Sequence, residues 1–336
     1  MQLNLWKDVR IRWAGGGIIG VIIAIWTFRY LVLSWPIPVI FRDSIRISEG
    51  SSAYHVAKQL KEDGFIPNES LFVNAVRLMG GTRSIRAGNF QIFNARHIGD
   101  LAKQILRPRP VEFTITLPEG LTRGQIAQFI ALKYPIDTGR YLALTGSREF
   151  LEKIGLDIPS LEGYLFPNTY RIQNGSTEEE IIEMMVRHTQ QALSEGIIQR
   201  GKRLGLDEHE ILTMASIIEG EAQIDTERTI ISAVYHNRLR RGMRLQADPT
   251  VQYAIPGEPR RLLYRDYDYP SEYNTYLHKG LPPGPVNNPG IASIQAAVSP
   301  AEVDYLYFVA EGQGRHIFTN TLEEHNRVVQ QLRQRD

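Results

Sequence analysis

Ile45-Arg46-Ile47-Ser48-Glu49-Gly50-Ser51-Ser52-Ala53-Tyr54-His55-Val56-Ala57 and Ile115-Thr116-Leu117-Pro118-Glu119-Gly120-Leu121-Thr122-Arg123-Gly124-Gln125-Ile126-Ala127 repeat one pattern at an interval of 70 residues. Each predicts a strand, a tight turn and a helix. Alternating apolar residues suit a strand with one buried face, Gly supplies the turn, and the hydroxyl of Ser52 or Thr122 is placed to cap the helix that follows. A looser copy, Phe90-Gln91-Ile92 followed by Ile98, Leu101 and Ala102, lies between them. Residues 43–110 are therefore expected to form a small α+β module, and the second full copy opens a larger domain over 111–336.

Downstream the period changes to that of helices. Thr177-Glu178-Glu179-Glu180 and Asp207-Glu208-His209-Glu210 each place Glu three residues after an N-cap residue, ahead of apolar residues at helical spacing. Helices are expected from about Glu208 to Ala222 and from Glu227 to Arg241. Turn-rich segments follow, Leu281-Pro282-Pro283-Gly284-Pro285 and Asn287-Asn288-Pro289-Gly290. A short helix near Ile291–Val298 and a hairpin from Tyr305 to Phe318 around Gly312 and Gly314 complete the chain.

Upstream, residues 13–28 are uncharged and mostly apolar, and Leu31, Val32, Leu33 and Trp35 extend the run to Pro36. That length predicts a membrane-spanning helix over 13–35, with a buried core helix as the alternative. Lys7, Arg10 and Arg12 place residues 1–12 in the cytoplasm and the rest of the chain outside. Arg29 must then snorkel to the outer interface. Ser34-Trp35-Pro36 offers no cleavage site, so the expectation is an uncleaved single-span anchor in the inner (plasma) membrane, with the large domain on the outer, periplasmic side.

Composition narrows the chemistry. There are 38 basic and 37 acidic residues, a formal net charge of +1, so no global field favours nucleic acid as a partner. The absence of cysteine excludes disulfides, thiolate metal sites and a cysteine nucleophile. The eight histidines show no paired ligand spacing, and no phosphate-binding loop or nucleophile elbow occurs. No metal and no cofactor are expected, and carboxylates remain as candidates.

Among these Glu219 is distinctive. On the helix opened by Asp207 it shares a flank with Leu212, Ala215 and Ala222, and Ala215, Ser216 and Gly220 leave room for a bulky ligand. Partial burial favours a carboxylic acid that holds its proton near neutral pH, as proton transfer to a glycosidic oxygen requires. Periodicity alone leaves this role and that of an ordinary boundary Glu both open.

Several motifs bear on the choice. Ala215-Ser216-Ile217-Ile218-Glu219, Asn237-Arg238-Leu239 and Gly242-Met243-Arg244-Leu245-Gln246-Ala247-Asp248-Pro249-Thr250 resemble the endolytic murein transglycosylase (YceG-like) family. So do Leu161-Glu162-Gly163-Tyr164-Leu165-Phe166-Pro167, Tyr273-Asn274-Thr275-Tyr276, Gly280–Pro285 and Tyr305–Ala310. The resemblance implies an α+β chain with a single N-terminal transmembrane helix, a LysM-like module and a larger mixed α/β catalytic domain. It implies cleavage of nascent peptidoglycan strands between N-acetylmuramic acid and N-acetylglucosamine, leaving 1,6-anhydro ends and limiting strand elongation, with Glu219 as acid and then base. Peptidoglycan synthases are further expected partners. Gly220-Glu221-Ala222-Gln223 departs from the long polar residue and the Thr or Ser common in the family at positions 220 and 222. Tyr164, Gln246, Asp248, Tyr253, Asn274, Tyr276 and Asn320 are expected to line the glycan groove, aromatic rings meeting sugar faces and amides meeting acetamido groups. Two alternatives stay open: a hydrolase in which Asp248 or Glu221 supplies a second carboxylate, and a non-catalytic wall-binding scaffold.

Overall fold

The computed structural model describes residues 21–48, 50–81, 85, 88–107, 112–257 and 259–334. The chain forms two compact units, one reaching Glu112 and the other beginning at Phe113.

In the first unit β1 (Pro36–Ile47) pairs antiparallel with β2 (Gly88–His97), Ile45 opposite Phe90 and Ile47 opposite Gly88. Helices α1 (Ala53–Glu62) and α2 (Glu69–Leu78) lie between the strands in sequence, and α3 (Ile98–Leu106) follows. Ser52 caps α1 by accepting from the His55 N–H, and Asn68 caps α2 through Ser70. Ile45, Ile47, Val56, Leu60, Phe72, Val76, Ile92, Leu101 and Ile105 close one apolar core.

The expected membrane span does not survive. Among the described residues no helix is long and apolar enough to cross a membrane. The described part of that segment is helical over residues 21–33, which at 1.5 Å per residue is roughly 20 Å against a hydrocarbon layer of about 30 Å. Residues 1–20, including the expected cytoplasmic tail and the start of the span, lie outside the described residues. Within the run Val32 is buried in the core of the first unit with Leu33 packed against it, while Val21, Ile23, Trp26 and Leu31 are exposed. Arg29 donates from Nη1 to the Leu78 carbonyl at 2.6 Å rather than standing as a lone charge. Pro36 then opens a strand. The single-pass topology, and the inner-membrane location deduced from it, fall with the span.

In the second unit β3 (Glu112–Thr116) pairs with β4 (Thr169–Gln173). Between them run α4 (Arg123–Ala131), α5 (Thr138–Leu144) and α6 (Arg148–Lys153). Helices α7 (Glu178–Ala192), α8 (Glu195–Arg203), α9 (Glu208–Glu221) and α10 (Arg228–Arg240) come next, followed by α11 (Asp248–Ala254) and α12 (Ile291–Ala297). The hairpin β5 (Tyr307–Gly312) and β6 (Arg315–Thr319) and helix α13 (Leu322–Arg333) close the unit. Thr122, Thr177 and Asp207 each form a capping box with the Gln or Glu three residues on.

Helix α9 organises this unit. Every residue from Ile211 to Ile218 is buried, and the helix packs against α8, α10, α11 and α12. A helix apolar on all sides belongs inside a core. Its last turn, beginning at Glu219, is where it leaves that core.

Truncating Phe72, which is fully buried in the first unit, to Ala should cost about 3–5 kcal/mol through lost burial and the cavity left behind. Urea unfolding checks this; a loss under about 1 kcal/mol would show that the site collapses without harm.

Candidate functional site

Just over three turns of α9 carry Glu219 to the core boundary, and two irregular segments meet it there. One is the β3–α4 turn. The other is Val286–Gly290, held to α9 by Ser216: its Oγ accepts from Val286 N at 3.0 Å, and its carbonyl accepts from Asn287 Nδ2 at 2.9 Å. The Ser216 hydroxyl also donates to the Thr213 carbonyl, so it is a packing group.

The Glu219 side chain is 7% exposed. One carboxyl oxygen accepts from Arg228 Nη1 at 3.2 Å and the other from Gly290 N at 3.0 Å. Arg228, itself buried, donates further to Ser293 Oγ at 2.6 Å and Asp225 Oδ1 at 3.1 Å. The flank of α9 is apolar as its sequence suggests, yet the carboxyl is met by a guanidinium and a main-chain N–H. Such charge-assisted contacts fix its orientation.

Beside it opens a cleft of about 910 Å³. Its lining is drawn from the β3–α4 turn and the start of α4 (Gly120, Arg123, Gln125), from the end of α9 (Gly220, Glu221), and from α11 and the segment after it (Asp248, Gln252, Tyr253, Arg261), with Glu162 and Asn287. Glu219 lies just behind this lining: a Cβ added at Gly120 would stand 3.6 Å from its Cγ. Gly220 packs on Pro249: a Cβ there would stand 2.6 Å from the ring, so in this chain the departure from a long residue at 220 matches the tight seat of α11.

Two carboxyls of the cleft, the buried Glu162 and the half-buried Glu221, are perturbed. Burial pushes Glu162 up to about 7, against hydrogen bonds from Arg123 N, Asn288 and Tyr253 that pull it down. Burial, and then the charge of Asp248, push Glu221 up to about 7, while Tyr235 Oη donates to it at 3.0 Å. The amide of Asn287 is oriented by its bond to Ser216, which leaves Oδ1 buried and without a partner among the described residues; Gln252 Nε2 is likewise unpaired.

Of the residues expected to line a glycan groove, Asp248 and Tyr253 are in the wall of this cleft. The other five stand apart from the lining. Tyr276 donates to Asp248 Oδ1 at 2.6 Å and so holds it from behind. Asn274 is fully buried and donates to the carbonyls of Tyr267 and Tyr269. Tyr164 is buried against His209, its hydroxyl 2.8 Å from Nδ1, while Nε2 of that ring meets the Pro283 carbonyl. Gln246 is exposed in a left-handed conformation, and Asn320 is exposed beside the cap of α13. Arg228, Glu162, Asn287, Asn288 and Glu119 were not singled out from sequence. Arg228 falls in the expected Glu227–Arg241 helix and the others in a quoted motif, repeat or turn, but only neighbours in space reveal their place.

Glu162 makes stability depend on pH. The folded state holds its proton more tightly than the unfolded chain, whose carboxyl titrates near the ordinary 4.5. Folding therefore takes up a proton between about pH 4.5 and 7, and stability falls as pH rises through that window. Glu162→Gln, which keeps an acceptor for Arg123 and Asn288, should flatten part of this slope in urea titrations at pH 5, 6 and 7; an unchanged slope would count against the perturbed carboxyl.

Comparison with known proteins agrees with this architecture. A Bacillus subtilis protein named endolytic murein transglycosylase is 35% identical over 301 residues, covering 85% of this chain and 83% of that protein. A Streptococcus pneumoniae protein of the same name is 29% identical over 318 residues, and the match covers 85% of this chain but 57% of that protein. A crystal structure of a YceG-like protein from Listeria monocytogenes superposes with a TM-score of 0.60 at 33% identity, covering 85% of this chain and 98% of that one. The sequence profile of the YceG-like family matches residues 45–331, and with these alignments it establishes that the chain belongs to that family.

Proposed function

We propose that this chain cuts the glycan strands of murein at internal linkages by a lytic route, with Glu219 as acid and then base. The observation that carries the proposal is a nearly buried carboxyl, held at both oxygens, directly behind the lining of a cleft roomy enough for several sugar rings. The names of the Bacillus and Streptococcus relatives support the choice of substrate.

The chemistry follows from a single side chain. A protonated carboxyl keeps one acceptor oxygen, so either the Arg228 or the Gly290 contact can hold its orientation while the other oxygen delivers a proton to the bridging oxygen between muramic acid and glucosamine. Charge developing at the anomeric carbon is shared by the muramic acetamido group. Glu219, now ionised, accepts the proton of the C6 hydroxyl as that oxygen closes onto the anomeric carbon. Water is not consumed and the enzyme ends with its proton restored. Asp248 and Tyr253 contact the strand in the cleft, and Tyr276 positions Asp248.

A second reading is hydrolysis with Glu221 and Asp248 as the extra carboxylates, favoured by their adjacency on the cleft wall and by the raised affinity of Glu221 for protons. The products separate the two. Mass analysis of released fragments should find anhydro ends, one water lighter than reducing ends; predominantly reducing ends would overturn the lytic route. Glu219→Gln should lower the cleavage rate by about 10³-fold with the unfolding midpoint little changed, and a variant retaining most of the rate would remove Glu219 from the chemistry.

A further inference from the structure

Glu119 stands at the tip of the β3–α4 turn, one residue before Gly120 of the cleft wall. Its side chain is exposed, and its carboxyl makes no hydrogen bond among the described residues. That carboxyl lies flat against Gly290, so close that a Cβ added there would overlap both of its oxygens. The N–H of the same Gly290 binds Glu219 at 3.0 Å. The two carboxyls therefore flank one glycine. Glu219 has both oxygens occupied by N–H donors, whereas the Glu119 carboxyl, packed against Gly290, meets no hydrogen-bond donor among the described residues.

The charges around the pair are Arg228, shared by Glu219 and Asp225, and Asp225 itself. Partial burial and then the neighbouring Glu219 raise the proton affinity of Glu119, with Arg228 opposing. A carboxylate of raised basicity is a stronger hydrogen-bond acceptor. In the same Asn287–Gly290 segment, Asn287 is 6% exposed with a buried acceptor oxygen lacking a partner. The Glu119 carboxyl and Asn287 Oδ1 on this side of the site thus have no donor among the described residues, which fits a ligand that brings N–H groups.

We propose that Glu119 is a second catalytic carboxyl of this centre, accepting the N–H of the muramic acetamido group while Glu219 moves the proton; the assignment rests on the murein-cutting function above. As the bond from the anomeric carbon to the bridging oxygen breaks, its electron pair leaves with that oxygen, which takes the Glu219 proton. The acetamido carbonyl oxygen shares the positive charge, its N–H becomes more acidic, and the Glu119 carboxylate stabilises it. The C6 oxygen then bonds to the anomeric carbon and gives its proton to Glu219. One carbon–oxygen bond is broken and one formed, with no oxidant and no water. A negative group placed beside developing charge acts on the transition state more than on binding.

The test compares wild type, Glu119→Gln and Glu119→Asp on purified glycan strands, and on strands whose muramic residues carry hydrogen in place of the acetamido group. On acetylated strands Glu119→Gln should lower kcat by about 100-fold with KM within about threefold, and Glu119→Asp should recover part of the loss. On 2-deoxy strands, which have no N–H at that position, wild type and Glu119→Gln should run at the same slow rate, a result that a merely structural role would not give. The assignment is overturned if Glu119→Gln stays within about threefold of wild type on acetylated strands, or loses an equal factor on both substrates. Failure of wild type to release any fragment would instead overturn the murein-cutting reading, and this assignment with it.

Discussion

One buried amide, that of Asn288, holds together three segments that no regular hydrogen-bond ladder could join. Its Oδ1 accepts from Leu165 N at 2.8 Å, and its Nδ2 donates to the Leu121 carbonyl at 2.9 Å and to Glu162 at 3.0 Å. Its main chain adds two bonds, N–H to the Leu121 carbonyl and carbonyl from Gly120 N, each 2.9 Å. The residue is 1% exposed, so each polar atom left unpaired there would cost about 1–3 kcal/mol. The β3–α4 turn, the 161–167 loop and the Val286–Gly290 segment are thereby fixed to one another. The positions of Gly120, Glu162 and Gly290 around the cleft follow from that constraint.

A second constraint is the burial of α9. Because eight consecutive residues are enclosed, the helix cannot rotate without exposing apolar surface, and the direction in which Glu219 leaves the core is set by packing rather than by local contacts. Ser216 converts this rigidity into position for the neighbouring chain, since its hydroxyl and carbonyl both hold the segment that delivers Gly290 to the carboxyl. Arg228, from the first turn of α10, completes the arrangement and would be costly to bury without Glu219 and Ser293 beside it.

Charge distribution around the cleft is uneven in a way that suits proton chemistry. Glu162 and Glu221 are pushed up to about 7 by burial, Glu119 is raised by burial and by Glu219, and Arg228 is shared between Glu219 and Asp225. Carboxyls with displaced proton affinities concentrate where a cleft meets the core, a pattern common at functional sites.

Local order was legible in the residues themselves. Ser52, Thr122, Thr177 and Asp207 announced helix starts, because a cap depends on side chains within three positions of its own backbone. The strand–turn–helix repeat, helix α10 and the hairpin around Gly312 and Gly314 were readable for the same reason, and so was the singular placement of Glu219 on its helix. The N-terminal run shows where such reading stops: its apolar count predicted a span, whereas the burial of Val32 in the first unit and the bond from Arg29 to Leu78 are long-range facts that composition does not carry. Residues such as Tyr164 and Asn274 have the chemistry of sugar ligands but are spent on internal hydrogen bonds, which composition does not disclose. That Glu119, Gly290 and Arg228 gather around Glu219 was decided only by the tertiary fold, because they stand 100, 71 and 9 positions from it along the chain and nothing but packing brings such separations to contact.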